Sequence, residues 1–156
     1  MRALLQRVSR ASVRVGGEQI TAIGRGLVIL LEVGHGDDEA TAEALARRIT
    51  ELRMFEDAAG KTNCSILEIS GDIIVVSQFT LYADTSKGRR PDFTHAAPAD
   101  VAGRLYERVV RRLGELGVQR VGTGRFGAEM AVELVNDGPF TLWLDSEAKV
   151  PSSART

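Results

Sequence analysis

The most strongly apolar run of the chain ends in polar side chains that could take part in catalysis or in ligand binding. Asp72–Ala83 reads DIIVVSQFTLYA, which predicts a buried strand followed by Ser77, Gln78 and Thr80. In an extended strand, Ser77 and Phe79 would face one side, and Gln78 and Thr80 the other. Polar groups at the end of a buried strand bond either to nearby backbone or to a ligand, and the pattern leaves both alternatives open.

A second candidate is the segment NDGPFT, Asn136–Thr141, in an otherwise apolar region. Proline cannot donate to a sheet ladder, so we expect it to interrupt strand pairing here. One interpretation is a plain turn between two strands, because Asn, Asp, Gly and Pro are the usual turn residues. In the other, Gly138 presents bare backbone to a ligand while Pro139 fixes the direction of the chain.

A third candidate is the basic loop KGRRPDF, which contains Lys87, Arg89 and Arg90. Clustered cations of this kind can bind phosphates, although a solvated loop balanced by nearby acids is the commoner case. A hydroxyl nucleophile in the preceding segment would need a base within reach. Lys87 is the nearest residue that could fold back to serve as one.

Several common kinds of site are missing from the sequence. His35 and His95 are the two histidines, both in polar loop contexts, and no HExxH or CxxC pattern occurs, so we expect no metal and no cofactor. GTGRFG, Gly122–Gly127, matches GxGxxG in letters only, because no strong strand precedes it and no crossover helix follows it. Cys64 is the single cysteine, which excludes a disulfide within the chain and suits a reducing cytoplasm.

Length and composition are those of an ordinary globular domain. The chain has 156 residues, of which 44% are hydrophobic and 26% charged, with a net charge of -1. Binding to nucleic acid would therefore need a local basic patch. No segment approaches the roughly 18 apolar residues of a membrane span, and the N-terminus does not resemble a signal peptide, so we expect a soluble cytoplasmic protein. We expect one domain over residues 1–146 and a polar, disordered tail over residues 147–156.

The sequence predicts about seven strands and two helices, which would hold these candidate residues in place. The chain between Arg2 and Val15 predicts a strand, a break and a second strand, and further strands are predicted over residues 128–135 and from Phe140 onward. Short turns join most neighbouring strands, so we expect an α+β domain in layers, with mostly antiparallel sheets covered by two long helices. The core faces of the helices are predicted to be Ala42, Leu45, Ile49 and Leu52 in the first, and Val101, Leu105, Val109, Leu113 and Leu116 in the second.

Five segments together resemble the signature segments of the D-aminoacyl-tRNA deacylases. They are QRVSRASV, SQFTLYAD, KGRRPDF, GRFGAEM and NDGPFTLWLDS, and the likeness extends from Met1 to about Ser146. The resemblance implies a β/β/α fold and a homodimeric hydrolase without a cofactor. It also implies cleavage of the ester between a D-amino acid and the 3′-terminal adenosine of tRNA, and clearance of glycine mischarged on tRNA-Ala.

The resemblance assigns roles to the candidate residues. Gly138 and Pro139 would form a cis peptide that reaches into the partner subunit's active site and rejects L-amino acids by a clash with rigid main chain. The catalytic segment would be Ser77, Gln78, Phe79 and Thr80, with the backbone amides near Phe79 and Thr80 as the oxyanion contact and the terminal ribose 2′-hydroxyl assisting attack.

The same resemblance implies how the tRNA is held. The wall for the terminal adenine would be Phe126, Gly127, Ala128 and Met130. The tRNA phosphates would meet Lys87, Arg89 and Arg90, with no DNA or membrane partner expected. Two other hypotheses stay open: a small-molecule ester or amide hydrolase with Thr80 as nucleophile, and a dimeric RNA-binding protein without chemistry.

Overall fold

The computed structural model describes residues 1–147. Of the polar tail predicted over residues 147–156, all but Glu147 lies outside the described residues. In chain order the elements are β1 Arg2–Val15, β2 Glu18–Ile23, β3 Gly26–Glu32, α1 Glu39–Glu51, β4 Phe55–Glu56, β5 Thr62–Cys64, β6 Asp72–Ser77, a 3-10 turn Phe79–Tyr82, α2 Ala99–Glu115, β7 Val121–Thr123 and β8 Ala131–Asp145.

The main sheet is built around β1. Strand β8 pairs antiparallel with β1 along one edge, while β3 and then β2 pair antiparallel with its other edge. Strands β6 and β7 extend the sheet from β3 in parallel, and β4 and β5 form a separate antiparallel pair. The architecture is α+β, mostly antiparallel, as predicted, with parallel pairing where α1 and α2 provide the crossovers.

The predicted break within residues 2–15 is wrong, because β1 is one continuous strand of 14 residues. Its register with β8 shifts between Gln6 and Arg10, which bends the strand rather than ending it. The bend lets β2 pack across β6 and β7, so the curled sheet forms two β layers. Thr21 and Gly122 meet there, and a Cβ at position 122 would lie 2.3 Å from the Thr21 hydroxyl oxygen.

Both helices cover the same face of the sheet. Asp38 caps α1 by accepting from the Thr41 N–H at 2.8 Å, and α2 begins immediately after Pro98. The predicted helix faces are the ones that pack toward the sheet, with the outermost members only partly buried: Leu52, Val101 and Leu116. No helix within residues 1–147 is long and apolar enough to cross a membrane.

The Asn-Asp-Gly-Pro segment lies inside a strand, not in a turn between two strands. Strand β8 runs from Ala131 to Asp145, which corrects the prediction of separate strands on either side of Gly138 and Pro139. Pairing is nevertheless interrupted, because Thr141 faces Gln6 and Asn136 faces Val8. The residues between them, 137–140, bulge out of the ladder, and the Gly138–Pro139 peptide bond is cis, as the resemblance implied.

Candidate active site

A cavity of about 520 Å³ opens where β3 and β6 end. Its lining includes the following predicted residues: Ser77, Gln78, Phe79, Phe126, Gly127, Ala128 and Met130. Small side chains on and before α2, including Ala96, Ala97 and Ala102, complete the wall. A larger groove of about 670 Å³ lies over β1, β2 and β8, but none of the predicted residues lines it. The cavity beside Ser77 is therefore the candidate site.

The chain turns sharply at Gln78, which shapes one wall of the cavity. The Gln78 N–H donates to the Leu31 carbonyl at 2.9 Å, and the next residues form the 3-10 turn. The prediction of an extended strand through Ala83, with side chains alternating between two faces, is therefore wrong beyond Ser77. Within the turn, the Gln78 side-chain amide donates to the Thr80 hydroxyl at 2.6 Å. Thr80 is exposed and does not line the cavity, so its hydroxyl is not presented as a nucleophile.

The 3-10 turn leaves two backbone amides free beside the cavity. The Leu81 N–H donates to the Gln78 carbonyl at 3.1 Å, and the N–H groups of Phe79 and Thr80 precede this bond without an acceptor. Neither N–H donates a hydrogen bond to any atom of residues 1–147. Fixed N–H donors of this kind can stabilise the negative charge that develops on a carbonyl oxygen.

Two partly exposed aromatic rings, those of Phe79 and Phe126, line the cavity. The Phe79 ring is 55% exposed and meets Phe93 edge-on, with the ring centroids 5.0 Å apart. The Phe126 ring is 41% exposed, and its centroid lies 5.8 Å from that of Tyr106 on α2. The ring also packs over Gly103, where a Cβ would lie 3.6 Å from it in ordinary van der Waals contact. The two rings thus offer apolar faces on which a planar base can stack.

A tight turn after β7 forms the part of the cavity wall that contains Phe126, Gly127 and Ala128. Ala128 N–H donates to the Arg125 carbonyl at 3.1 Å, and Gly127 takes a φ of 75°, which favours glycine. The Met130 sulfur accepts from the Arg125 N–H at 3.3 Å, which fixes the methionine beneath the turn. Strand β8 follows this Gly-rich turn directly, without the crossover helix that a dinucleotide-binding βαβ unit has at this point.

Glu32, which the sequence analysis did not single out, is among residues 1–147 the one charged residue that lines the cavity. Glu32 ends β3 and is 4% exposed. Burial raises the pKa of its carboxyl group to about 7 and is the largest influence on it. The hydrogen bond from the Val33 N–H lowers the pKa and partly offsets this rise. The nearby Asp37 adds to the rise and the N-terminal ammonium opposes it. The signal available in the sequence was a lone acid closing the apolar run GLVILLE.

Gly138 and Pro139 do not line the cavity of their own chain. Both are exposed at the tip of the β8 bulge, as is Asp137. Asn136 closes the bulge, since its side-chain oxygen accepts from the Phe140 N–H at 2.9 Å. Gly138 has a φ of 133°, a conformation that other residues rarely adopt.

Arg7, which the sequence analysis did not single out, anchors the bulge from beneath. Its guanidinium donates to the Asp137 carbonyl at 2.9 Å and to the Met54 carbonyl at 2.7 Å, and it lies over the Phe140 ring at 4.9 Å. Arg7 is 8% exposed, so these contacts are shielded from water. The main chain at Gly138 is therefore held rigidly while remaining exposed.

The basic residues lie outside the cavity, on the loop between the 3-10 turn and α2. Lys87, Arg89 and Arg90 are all exposed, so Lys87 does not fold back onto Ser77 as a base. The ends of this loop are joined by paired backbone bonds between Asp84 and Asp92, at 2.7 and 2.9 Å. The three cations are therefore on the exposed loop and are not part of the cavity wall.

Comparison with known proteins gives one consistent result. The family model described as D-Tyr-tRNA(Tyr) deacylase matches residues 4–145. Proteins named D-aminoacyl-tRNA deacylase from Thermomicrobium roseum and Roseiflexus castenholzii are each 58% identical over 146 residues, covering 94% of this chain and 94% and 92% of theirs.

Solved structures show the same fold. A c-Myc DNA unwinding element binding protein is 43% identical with a TM-score of 0.90, over 95% of this chain and all of that one. A probable eukaryotic D-amino acid tRNA deacylase superposes with a TM-score of 0.81 over 92% of this chain and 97% of that one. At 18% identity, the second likeness bears on the fold alone.

Proposed function

Because the chain belongs to the D-Tyr-tRNA(Tyr) deacylase family, we propose that it is a hydrolase of the ester bond in D-aminoacyl-tRNA, releasing the D-amino acid and free tRNA. The observation that carries the proposal is the cavity that combines aromatic faces with the unpaired backbone N–H of Phe79, next to which lies that of Thr80. An aminoacylated adenosine needs both features, one for its base and one for its ester.

The terminal adenine binds against Phe126, Gly127, Ala128 and Met130 in this proposal. The Phe126 ring is braced by Tyr106 yet exposed toward the cavity, which favours stacking over burial in the core. Base stacking on an aromatic side chain is worth about 1–3 kcal/mol and tolerates any tRNA sequence. Such a contact suits an enzyme that recognises an end common to all tRNAs.

The chemistry needs no protein nucleophile. Water adds to the ester carbonyl carbon, the bond to the ribose 3′-oxygen breaks, and the proton lost by water reaches that oxygen through the neighbouring 2′-hydroxyl. The N–H groups of Phe79 and Thr80 bind the carbonyl oxygen as it becomes negative, while Ser77 and Gln78 orient the ribose and the amino acid. The Thr80 hydroxyl already accepts a hydrogen bond from the Gln78 side-chain amide. This supports a role for the Thr80 backbone N–H and not for its hydroxyl.

Stereochemical selection is assigned to Gly138 and Pro139 acting on the partner subunit of a homodimer. The pair does not reach the cavity of its own chain, so a gate made from it must serve another copy. Within residues 1–147, β8 pairs only with β1, which leaves a long sheet edge carrying exposed Val135 and Trp143 for association. Main chain clamped by Arg7 cannot move aside for an L side chain, whereas a D side chain points away from it.

A gate of this kind does not reject glycine, which has no side chain to clash. We therefore expect glycine mischarged on tRNA-Ala to be a substrate as well. The acceptor stem is held by its phosphates at Lys87, Arg89 and Arg90, which are exposed. Replacing all three by Ala should weaken tRNA binding uniformly across tRNA sequences and reduce its salt dependence, measured by filter binding from 50 to 200 mM salt.

The experiment compares three substrates with the purified protein: D-Tyr-tRNA, L-Tyr-tRNA, and D-Tyr-tRNA ending in 2′-deoxyadenosine. The proposal expects rapid hydrolysis of the first alone. A small-molecule hydrolase using Thr80 would not need the 2′-hydroxyl, and a binding protein would release no amino acid. Equal rates on the D and L substrates would exclude the gate, and equal rates with and without the 2′-hydroxyl would exclude its role.

A further inference from the structure

The rings of Phe79 and Phe93 form an aromatic surface to which the proposed reaction assigns no role. Phe79 is the most exposed large apolar side chain of residues 1–147, at 55%. Its ring meets the Phe93 ring edge-on with the centroids 5.0 Å apart, and both residues line the cavity. Because the terminal adenine is assigned to the wall that contains Phe126, this aromatic pair is available for a second flat group.

Hydrogen bonds hold both rings in place. Phe79 begins the 3-10 turn, and Phe93 lies between backbone bonds on its two sides. Before it, the Asp92 N–H donates to the Asp84 carbonyl at 2.9 Å, and after it the Ala96 N–H donates to the Phe93 carbonyl at 3.0 Å. An aromatic surface fixed in this way loses little conformational freedom when a ligand binds to it, which favours binding.

The loop that contains Phe93 also contains the proposed phosphate contacts. The paired bonds between Asp84 and Asp92 close this loop, and the three cations lie between those two residues. Arg90 is three residues from Phe93, so their Cα atoms lie within about 11 Å of each other. A nucleic acid strand that leaves the cavity toward these cations therefore passes the aromatic pair.

We propose that Phe79 and Phe93 stack the base of the nucleotide that precedes the terminal adenosine. The proposal rests on the function proposed above, because that function places the adenosine in the cavity and the phosphates at the basic loop. Stacking on aromatic side chains strengthens binding roughly 5-fold to 100-fold for each base. The two rings have no hydrogen-bonding group, so they hold the base without identifying it.

The side chain of the D-amino acid is the other flat or apolar group that could reach these rings. Contact with it would depend on which amino acid is attached and would not require a preceding nucleotide. The preceding base is favoured because Phe93 and the phosphate contacts belong to one closed loop. The two occupants differ in the substrates that reveal them, so one set of measurements separates them.

The test compares four short substrates that carry D-Tyr on a 3′-terminal adenosine: adenosine alone, the dinucleotides CpA and UpA, and a dinucleotide whose first sugar has no base. For the unmodified protein, we expect CpA and UpA to share one KM, roughly 5-fold to 100-fold below that of the abasic dinucleotide. The abasic substrate keeps the sugar and the phosphate, so this difference measures the base alone.

Phe93→Leu keeps an apolar side chain and removes the flat ring. It should raise KM for CpA roughly threefold or more, leave KM for the abasic dinucleotide unchanged and leave kcat unchanged. Phe126→Leu is the matched control, because it removes a ring of the adenine wall and should raise KM for all four substrates by a similar factor.

Equal KM values for CpA and the abasic dinucleotide in the unmodified protein would overturn the proposal, whether or not the variants fold. An effect of Phe93→Leu that is as large on adenosine as on CpA would also overturn it, since the ring would then contact the amino acid or serve the cavity as a whole. Hydrolysis of D-Tyr-tRNA is measured alongside. Its absence would reject the proposed function, whereas its presence with equal KM values would reject the stacking contact alone.

Discussion

The buried carboxyl of Glu32 makes the stability of the protein depend on pH in an unusual direction. Its pKa is about 7 in the folded protein, against an ordinary value of 4.5. Between these two pH values the folded chain keeps a proton that the unfolded chain has released. Stability from this group is therefore complete below pH 4.5 and is lost as pH rises through 7.

The size of the effect follows from the two pKa values. Their difference, at about 1.4 kcal/mol for each pH unit, gives about 3 kcal/mol lost between pH 4.5 and pH 8. Glu32→Gln carries no charge at any pH, so it should match the unmodified protein near pH 4.5 and be about 3 kcal/mol more stable at pH 8. For a chain of this length, the pH 8 difference corresponds to an increase in Tm of roughly 6–12 °C.

The assay is urea unfolding at pH 4.5, 6, 7 and 8, followed by circular dichroism, at one protein concentration and without tRNA. Glu56→Gln, which removes an exposed carboxylate, should follow the unmodified protein at every pH. The reasoning fails if the advantage of Glu32→Gln is the same at pH 4.5 and pH 8. It also fails if that variant is the less stable protein at pH 8, since the carboxylate would then be favourably solvated or paired.

Other substitutions probe the gate and the cavity. Arg7→Ala should cost about 2–4 kcal/mol in urea unfolding, because two backbone carbonyls lose a charged donor, and it should raise the rate of L-Tyr-tRNA hydrolysis. Pro139→Ala should lower the ratio of D-Tyr-tRNA to L-Tyr-tRNA hydrolysis with little change in urea stability, since the ring is exposed; an unchanged ratio would remove this residue from the gate. Thr80→Ala should keep single-turnover rates within about threefold, as the backbone amide remains, whereas a loss of 100-fold or more would restore the hydroxyl as nucleophile. Phe126→Ala should raise KM roughly 5-fold to 100-fold with little change in kcat, and a kcat effect alone would argue against stacking.

Local patterns in the sequence predicted the helices and most strands well. The helix faces have strong 3.6-residue periodicity, and the apolar run before Ser77 could only be a buried strand. The single long strands β1 and β8 were not predicted, because their continuity depends on pairing with each other across more than a hundred residues. A bulge held by a distant arginine can keep Pro139 inside a strand, which local propensity cannot indicate.

The candidate site was predicted in part. Residues that the motif resemblance named line one cavity together, although they come from the end of β6 and the turn after β7. Arg7 and Glu32 were missed because their meaning comes from burial: each is a charged residue among apolar neighbours on a strand, and a sequence alone does not show which face is closed. Thr80 was assigned to the catalytic segment by the resemblance, and the structure places its side chain outside the cavity lining because the chain turns after Ser77.

The central claim is that rigid, exposed main chain at Gly138 and Pro139 selects against L-amino acids. Its most direct test is single-turnover hydrolysis of D-Tyr-tRNA and L-Tyr-tRNA by the same preparation, at saturating protein. If the gate acts as proposed, tyrosine is released completely from the D substrate within a time in which the L substrate stays intact. Release from both substrates at comparable rates would contradict it.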